Sequence, residues 1–239
     1  MKKGNLILLF LFILSGVLYY LYFSPEISGN AVFEKREVNI TRIVDGDTIV
    51  VNGDEKIRLL GINTPEKGEF NAEADVVFIK QLENKSVVVE SSEKDKYGRT
   101  LGYVFYNGQL FNELILKNGL AHFYSYAEDK YSDKLRAAEK AAREKELGIW
   151  KKSSNYGCIS LKELKYEEDG QRCTNKEQLV LENSCAKLSV YLKDDTSQGY
   201  HYNISSGVFV KNYSCKFNDA GDSLYIWGND GLILFYRYP

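Results

Sequence analysis

The sequence predicts an α+β protein: a five-stranded β-barrel of the OB type with three helices, followed by an all-β region. Two observations predict this architecture. Strand-like and helical runs alternate up to about residue 152, and beyond that point helix signals vanish while short strand-like runs continue. All four cysteines of the 239-residue chain also fall in the last third. We therefore predict two domains, at 38–152 and 157–239.

The composition excludes several classes of protein. Apolar residues make up 44% of the chain and charged residues 27%, which suits globular cores and excludes wholesale disorder. The net charge of −2 excludes a highly basic protein that coats nucleic acid by charge alone. The two histidines, His122 and His201, lie far apart in the sequence, which excludes a multi-histidine metal centre.

Residues 1–24 have the pattern of a membrane segment. Lys2 and Lys3 precede an apolar run at 6–23, whose eighteen residues would span about 27 Å as a helix, enough to cross a hydrocarbon core. We predict an uncleaved signal anchor in the cell membrane, with a cleaved signal peptide and secretion as the alternative. Lysines on the cytoplasmic side would place the rest of the chain outside the cytoplasm. The polar residues 25–37 are predicted to be a linker.

The first domain is predicted element by element. Residue alternation and turn signals predict five strands, at 38–44, 48–51, 56–61, 86–89 and 101–105. Helical spacing of apolar residues predicts three helices, at 69–82, 111–117 and 133–146. Asp45-Gly46 and Asn52-Gly53 mark the turns between the first three strands. Five short strands with helices on one side fit a small closed barrel.

The last third is predicted to be a β-sandwich. Seven short strands alternate with turn residues, at 159–166, 178–182, 188–192, 199–204, 208–211, 223–227 and 232–238.

The cysteines are predicted to form disulfides. Cys158, Cys173, Cys185 and Cys215 are even in number and lack the C-x₂-C spacing of a zinc site, and disulfides suit an oxidising exterior. Four cysteines allow three pairings. Cys158 precedes the first sandwich strand and Cys185 follows the second, so antiparallel pairing would bring these two together and leave Cys173 for Cys215.

Residues with the chemistry of a metal site lie around the end of the third strand. Asp47 offers a carboxylate, Asn63 an amide oxygen and Thr64 a backbone carbonyl. Such hard oxygen ligands suit Ca²⁺, with water at the remaining positions. Each residue taken alone has an ordinary structural explanation, as part of a turn or of a loop.

Charged residues in the same segments suit phosphate chemistry. Arg58 and Arg99 can each hold phosphate oxygens through two donors, and Glu66 can act as the base that activates water. Alone, either arginine is an exposed strand or turn residue, and Glu66 is an acidic residue near a helix start.

Taken together, these segments resemble the staphylococcal-nuclease (thermonuclease) family over about residues 38–152. The motifs occur in the family's order: D-G-D-T at 45–48, R-L-L-G-x-x-T-P-E at 58–66, D-K-Y-G-R at 95–99, N-G-L-A at 118–121 and G-I-W at 148–150. Several separated motifs in the right order make a chance match very improbable.

The resemblance implies an OB barrel and Ca²⁺-dependent hydrolysis of phosphodiester bonds in DNA and RNA, with 3′-phosphate products. It implies a role for each matching residue: Asp47, Asn63 and Thr64 at the metal, Arg58, Glu66 and Arg99 in catalysis, and Tyr97, Tyr124 and Tyr126 in the nucleotide pocket. The alternative is a non-catalytic nucleic-acid-binding module on the same fold. Such modules typically lose the arginine and glutamate positions, and this chain has all three.

Two departures from the family pattern carry expectations. The pattern has aspartate where this chain has Asn63, so one negative charge is missing and weaker calcium binding is expected. The segment 38–152 has 18 Lys and Arg against 19 Asp and Glu, a net charge of −1. Nucleic-acid binding is therefore expected to be weak and local to the two arginines.

The C-terminal region resembles a lamin-tail domain, an immunoglobulin-like sandwich. The resemblance rests on Y-L-K-D-D at 191–195 and N-D-A-G-D at 218–222. It implies a binding or spacing module with an unknown ligand, and the whole chain is expected to be monomeric. We predict that the turn carboxylates are solvated rather than calcium ligands; they are Asp194, Asp195, Asp219 and Asp222.

Overall fold

The computed structural model describes residues 33–125, 128–166, 177–196, 198–214, 216–217 and 222–238. The predicted membrane segment lies outside the described residues, as do Tyr126, Cys173, Cys215 and Asp219. Within the described stretches, no helix is long and apolar enough to cross a membrane.

The N-terminal part is a closed β-barrel, as predicted. Its strands are β1 (Glu34–Ile43), β2 (Thr48–Val51), β3 (Glu55–Leu59), β4 (Gly61–Asn63), β5 (Ser86–Lys94), β6 (Thr100–Tyr106), β7 (Gln109–Leu110) and β8 (His122–Tyr124). The main sheet has the order β3-β2-β1-β5-β6-β7, and a parallel pairing of β3 with β6 closes it. The short strands β4 and β8 form a separate antiparallel pair.

The first strand is longer than the sequence suggests. It begins at Glu34, inside the predicted linker, and Glu34 lies opposite Ser91 of β5. Between β2 and β3, Asn52 and Gly53 have φ values of 49° and 104°. Asparagine and glycine tolerate this left-handed conformation, which matches the twist of a tight hairpin. The turn predicted at 52–53 is therefore present.

Three helices pack on the barrel: α1 (Ala72–Ile79), α2 (Phe111–Lys117) and α3 (Ser132–Glu144). The 3₁₀ turn Lys80–Leu82 extends α1 to the predicted end. The predicted start at residue 69 is wrong by three positions. On α3, Leu135, Ala138 and Ala142 are buried at a spacing of three and four residues, as an amphipathic helix requires.

Two glycines allow the backbone segment that follows α2 to pack closely against the segment that follows α3. Gly119 and Gly148 both have positive φ, at 66° and 54°. The amide of Ile149 donates to the carbonyl of Gly119 at 2.8 Å. A Cβ atom on either glycine would collide with backbone atoms of the other segment. Glycine is therefore required at both positions, and the contact fixes the end of the barrel domain.

All seven predicted strands of the last third are present, in two sheets. They are β9 (Ile159–Lys165), β10 (Glu177–Asn183), β11 (Leu188–Lys193), β12 (Gly199–Ile204), β13 (Gly207–Tyr213), β14 (Ser223–Trp227) and β15 (Leu232–Arg237). The sheets have the orders β13-β10-β9 and β12-β11-β14-β15. They share one apolar core, which includes Leu179, Leu192 and Ile226. This arrangement is a β-sandwich.

Cys158 and Cys185 form a disulfide with a Cα–Cα distance of 5.4 Å. The bond joins the residue before β9 to a residue just after β10, and these two strands are antiparallel neighbours. It is the pairing expected from the order of the predicted strands.

The barrel and the sandwich pack against each other. A third apolar cluster contains Ile149 and Trp150 from the barrel side and Trp227 and Leu232 from the sandwich. The indole nitrogen of Trp227 donates to the carbonyl of Ile149 at 2.9 Å, and the amide of Leu232 donates to the carbonyl of Lys151 at 2.7 Å. This packing places the segment after β11 beside the end of β4.

Candidate active site

Strand pairing brings Asp47 and Arg58 to the same end of the barrel. Thr48 lies opposite Arg58 in the β2–β3 ladder, and the amide of Leu59 donates to the carbonyl of Asp47 at 2.8 Å. The guanidinium of Arg58 and the carboxylate of Asp47 form an ion pair at 3.1 Å. Both side chains are largely buried, so this charge pair is a fixed part of the site.

The Asp47 carboxylate organises the residues around it. Its Oδ2 accepts hydrogen bonds from the backbone amide and the hydroxyl of Thr64, each at 3.1 Å. Its Oδ1 accepts from the hydroxyl of Thr48 at 3.1 Å. Two of the three predicted metal-site residues, Asp47 and Thr64, are therefore in direct contact.

Arg58 is held in place by the loop that follows it. Its Nη1 donates to the carbonyls of Leu59 and Ile62, at 2.7 and 2.9 Å. Its Nη2 donates to the side-chain oxygen of Asn63 at 3.1 Å, in addition to its pairing with Asp47. The plane of the guanidinium is thereby fixed before any ligand arrives.

Asn63 links the barrel site to the sandwich. Its Nδ2 donates to the backbone carbonyl of Asp195 at 3.1 Å, while its oxygen accepts from Arg58. His122 Nε2 lies 3.1 Å from the same carbonyl. Because a carbonyl only accepts, this nitrogen carries the proton of the imidazole. Asn63 is buried, and both ends of its amide are occupied.

His122 is neutral at this junction. It is fully buried on β8, and burial lowers its pKa to about 3, with the nearby Lys193 contributing in the same direction. The Asp195 carboxylate lies 4.0 Å from the imidazole and accepts a hydrogen bond from the Tyr225 hydroxyl at 2.7 Å. Burial also raises the pKa of Asp195, to about 8. Burial thus favours the neutral forms of both His122 and Asp195 at this contact.

A second contact joins the loop before α1 to the sandwich. The carboxylate of Glu69 accepts from the hydroxyl of Tyr191 at 2.5 Å and from the ammonium of Lys193 at 3.1 Å. Only 1% of the Lys193 side chain is exposed. A buried lysine needs such a partner, so the pair holds loop and sandwich together.

Glu66 lies at the open side of the site. Its side chain is exposed, unlike those of Asp47 and Arg58. Desolvation raises its pKa, with the carboxylates of Asp47 and Glu69 acting in the same direction, while Lys193 and Arg58 oppose them. A carboxylate with a raised pKa accepts a proton more readily.

Arg99 and Tyr97 lie in the turn before β6. The Asp95 carboxylate shapes this turn, accepting from the amides of Tyr97 and Arg99 at 2.9 Å and from Arg99 Nε at 2.7 Å. The guanidinium of Arg99 lies 5.4 Å from the centre of the Tyr97 ring, which is 72% exposed. In the parallel β3–β6 pairing Thr100 lies opposite Ile57 and Leu101 opposite Arg58, so Arg99 comes two positions before the residue that faces Arg58.

Two of the tyrosines predicted to line the nucleotide pocket lie on different elements of the barrel. Tyr124 lies on β8 opposite Gly61 and is half-buried, so it belongs to the β4 side of the site. Tyr97 belongs to the turn before β6.

The sequence did not identify two further carboxylates beside Asp47. Desolvation by the surrounding protein and the neighbouring Asp47 carboxylate together raise the pKa of Asp45 to about 6. Burial also raises the pKa of Asp75, on α1, to about 7, again with a contribution from Asp47. A sequence signal existed for Asp75, because it lies on the same face of α1 as the buried Ile79, four residues later.

The residues present fit a cation in part. The buried Oδ2 of Asp75 has no hydrogen-bond donor among the described residues, so this oxygen could accept a further ligand. Asp47 and the Thr64 carbonyl are suitable oxygen ligands, but the oxygen of Asn63 is committed to Arg58. No group of three or more histidine, cysteine or acidic side chains suited to a metal occurs in the described part of the chain. A cation here would therefore also use backbone oxygen and water.

Comparisons with known proteins agree with this geometry. A family model described as staphylococcal nuclease homologue matches residues 56–152. The thermonuclease of Staphylococcus intermedius is 36% identical over 172 residues, which cover 64% of this chain and 100% of that protein. The chain belongs to the staphylococcal nuclease family. The family match includes Arg58, Glu66 and Arg99 and ends at residue 152, before the sandwich begins.

Other relatives of this staphylococcal nuclease homologue support the same conclusion. The thermonuclease of Staphylococcus hyicus is 37% identical over 124 residues, 46% of this chain and 73% of that protein. The endonuclease YncB of Bacillus subtilis is 37% identical over 137 residues, 50% of this chain and 65% of that protein. The prediction of an enzyme is confirmed: the protein is a nuclease, rather than the non-catalytic module held as the alternative.

Three turn carboxylates of the sandwich differ from expectation. Asp194, Asp195 and Asp222 were predicted to be solvated, but all three are buried. Asp194 pairs with the buried ammonium of Lys216 at 2.8 Å, and Asp222 accepts from the amide of Asp195 at 3.1 Å. These residues hold the segment that contacts Asn63, which explains why they are removed from solvent.

Proposed function

We propose that this nuclease hydrolyses phosphodiester bonds in DNA and RNA, requires calcium, and leaves 3′-phosphate ends. The observation that supports this most is the Arg58–Asp47 pair, 3.1 Å apart beside the exposed Glu66. A fixed guanidinium next to a carboxylate pocket can neutralise a phosphodiester anion and hold a cation at the same place.

Arg58 is the residue proposed to bind the scissile phosphate. A guanidinium has five N–H donors. Nη1 donates to two backbone carbonyls, which orient the group, and Nη2 contacts Asn63 and Asp47. Phosphate oxygens would therefore bind at Nε and replace Asp47 or Asn63 at Nη2. Because the backbone contacts persist, little reorganisation is needed as charge develops on phosphorus.

Glu66 is proposed to accept the proton of the attacking water. Its exposed carboxylate and raised pKa suit this role at neutral pH. Asp47 and the Thr64 carbonyl would hold calcium, which when bound offsets the negative charge of the phosphate. Asn63, a predicted ligand, is proposed to contribute little, because both ends of its amide are occupied.

Arg99 and Tyr97 are proposed to contact the substrate outside the buried site. Arg99 offers a second guanidinium to the phosphate, and the exposed Tyr97 ring offers a face for a base. Tyr124 and Tyr126 remain predictions for the same pocket.

The cleavage experiment uses the full chain. Single-stranded DNA and RNA oligonucleotides are incubated with excess calcium or with a chelator, and product ends are analysed. We expect cleavage only with calcium, 3′-phosphate ends, and strongly reduced cleavage by Glu66→Gln. Glu73→Gln, which removes an exposed carboxylate on α1, is the matched control and should cleave normally. Calcium-independent cleavage, or an active Glu66→Gln variant, would contradict the proposal.

The nuclease is also proposed to act outside the cytoplasm as a membrane-anchored monomer. The Cys158–Cys185 disulfide supports an oxidising compartment, and the apolar run at 6–23 supports an anchor. Protease added to intact cells should degrade the nuclease domain, and carbonate washing should leave it in the membrane fraction. Protection from the protease would contradict an external location.

The sandwich is proposed to be a lamin-tail-like module with a ligand of its own. Its two-sheet architecture supports this assignment. Its contact with Asn63 also gives it a structural role at the nuclease site.

A further inference from the structure

Asp75 is a buried carboxylate that the proposed catalytic residues do not explain. Only 1% of this residue is exposed. Its Oδ1 accepts a hydrogen bond from the amide of Val76, but its Oδ2 has no donor among the described residues. Leaving a buried carboxylate oxygen without a partner is costly, so a binding partner for Oδ2 is expected.

The unpartnered oxygen points into the turn that carries Asp47. The Oδ2 of Asp75 lies against Gly46, so closely that a Cβ atom at position 46 would collide with it. Gly46 separates Asp45 from Asp47 in the sequence. Glycine at this position therefore admits the Asp75 carboxylate to the same pocket as the Asp47 carboxylate.

One hydroxyl lies between the carboxylates of Asp75 and Asp47. The hydroxyl of Thr64 lies near both carboxylates. It has one proton, and Asp47 Oδ2 accepts it at 3.1 Å. Arg58 also forms its ion pair with Asp47. Two carboxylates with one shared hydroxyl between them form a suitable environment for a cation.

We propose that Asp75 is a direct ligand of the calcium ion that this nuclease binds, and that it supplies the negative charge missing at position 63. This inference rests on the calcium requirement of the proposed function. The ligand set is the carboxylates of Asp47 and Asp75 and the carbonyl of Thr64, completed by water. Asn63 is not a ligand, because it bridges Arg58 and the carbonyl of Asp195.

Calcium binding to the full chain tests this assignment without substrate. Isothermal titration calorimetry with Ca²⁺ compares the wild type with Asp75→Asn. We expect Asp75→Asn to weaken calcium binding about tenfold or more, since one of two ligand charges is lost. Asp54→Asn removes an exposed carboxylate from the β2–β3 turn and should bind calcium like the wild type.

A thermal-shift measurement guards against a folding defect. Asp75→Asn removes the negative charge of a buried carboxylate whose Oδ2 has no donor among the described residues, so the variant should melt at the same temperature as the calcium-free wild type or higher. Calcium should raise the melting temperature of the wild type and of Asp54→Asn, but much less that of Asp75→Asn.

The outcomes separate the two proposals. If the wild type binds calcium and Asp75→Asn binds it equally well, Asp75 is not a ligand, although the calcium-dependent nuclease stands. If the wild type binds no calcium at millimolar concentration, both the ligand assignment and the calcium requirement are wrong. Loss of cleavage with unchanged calcium binding in Asp75→Asn would also contradict the assignment.

Discussion

The side-chain amide of Asn63 donates a hydrogen bond to the backbone carbonyl of Asp195, 3.1 Å away and 132 positions later in the sequence. The oxygen of the same amide accepts from Arg58. A short chain of hydrogen bonds therefore runs from the sandwich to the proposed phosphate-binding arginine. Only a side chain with both a donor and an acceptor can hold this position, which gives a physical reason for asparagine there.

Asn63→Asp should loosen the contact between barrel and sandwich. A carboxylate cannot donate to the Asp195 carbonyl, so two acceptors would face each other in a buried place. We expect a loss of about 1–3 kcal/mol in the free energy of unfolding, measured by urea denaturation at neutral pH. Asn107→Asp, in an exposed turn, is the control and should change little. Equal stability of the Asn63→Asp variant and the wild type would show that the contact is unimportant.

The Glu69–Lys193 pair should be the strongest single polar link between the two parts. Among the described residues, Lys193→Met leaves the Glu69 carboxylate with one donor, Tyr191, in a poorly solvated place. We expect a loss of about 3 kcal/mol in the free energy of unfolding. Adding Glu69→Gln to Lys193→Met should recover part of that loss, because no charge then remains unpaired.

An exposed ion pair on the sandwich surface provides a matched control for the Lys193→Met variant. Lys162 and Glu182 form an ion pair at 2.6 Å, and both side chains are well exposed. Lys162→Met should cost less than about 1 kcal/mol. If both lysine variants lose the same stability in urea denaturation, the buried pair contributes no more than a surface pair.

Glu90 should make the barrel sensitive to acid. Burial alone would raise its pKa, but hydrogen bonds from Lys130, Lys35 and Tyr131 outweigh burial and lower it to about 2. The folded-state pKa thus lies below the unfolded value, about 4.3. Ionised Glu90 therefore stabilises the fold fully above pH 4.3, and this contribution is lost as the pH falls towards 2.

The corresponding variant is Glu90→Gln. We expect it to be less stable than the wild type by about 2 kcal/mol at pH 7, with the difference shrinking below pH 4.3. Urea denaturation at several pH values measures the stability difference at pH 7 and its decrease at lower pH. Glu93→Gln, which changes an exposed residue on β5, is the control. A difference that stays constant down to pH 3 would mean that the Glu90 contacts do not depend on its charge.

Local patterns explain which parts of the fold were predictable. The seven sandwich strands follow from short apolar runs between turn residues, and Asn52-Gly53 predicts its hairpin because only such residues adopt positive φ easily. The short strands β4 and β8 were missed. Each has three residues and exists only because it pairs with the other, some sixty positions away. Pairing at that distance leaves no local signal.

The candidate site was predictable only where it resembles known motifs. The segments 45–48 and 58–66 indicated Asp47, Arg58 and Glu66 through their order and spacing. The contact of Asn63 with Asp195 depends on packing between two domains, so position 63 was interpreted as a weakened metal ligand. The start of α1 was misplaced because Asn71 has a left-handed backbone, with φ of 67°, and the helix begins only after it at Ala72.

The most direct test of the account is the cleavage rate of Arg58→Ala, measured with saturating single-stranded DNA and excess calcium. Arg42→Ala, which removes an exposed arginine from β1, is the matched control, and a urea denaturation curve verifies that each variant is folded. We expect Arg58→Ala to be slower by about 10²-fold or more, and Arg42→Ala to match the wild type. A folded Arg58→Ala variant that cleaves at the wild-type rate would contradict the assignment of this site as the catalytic centre.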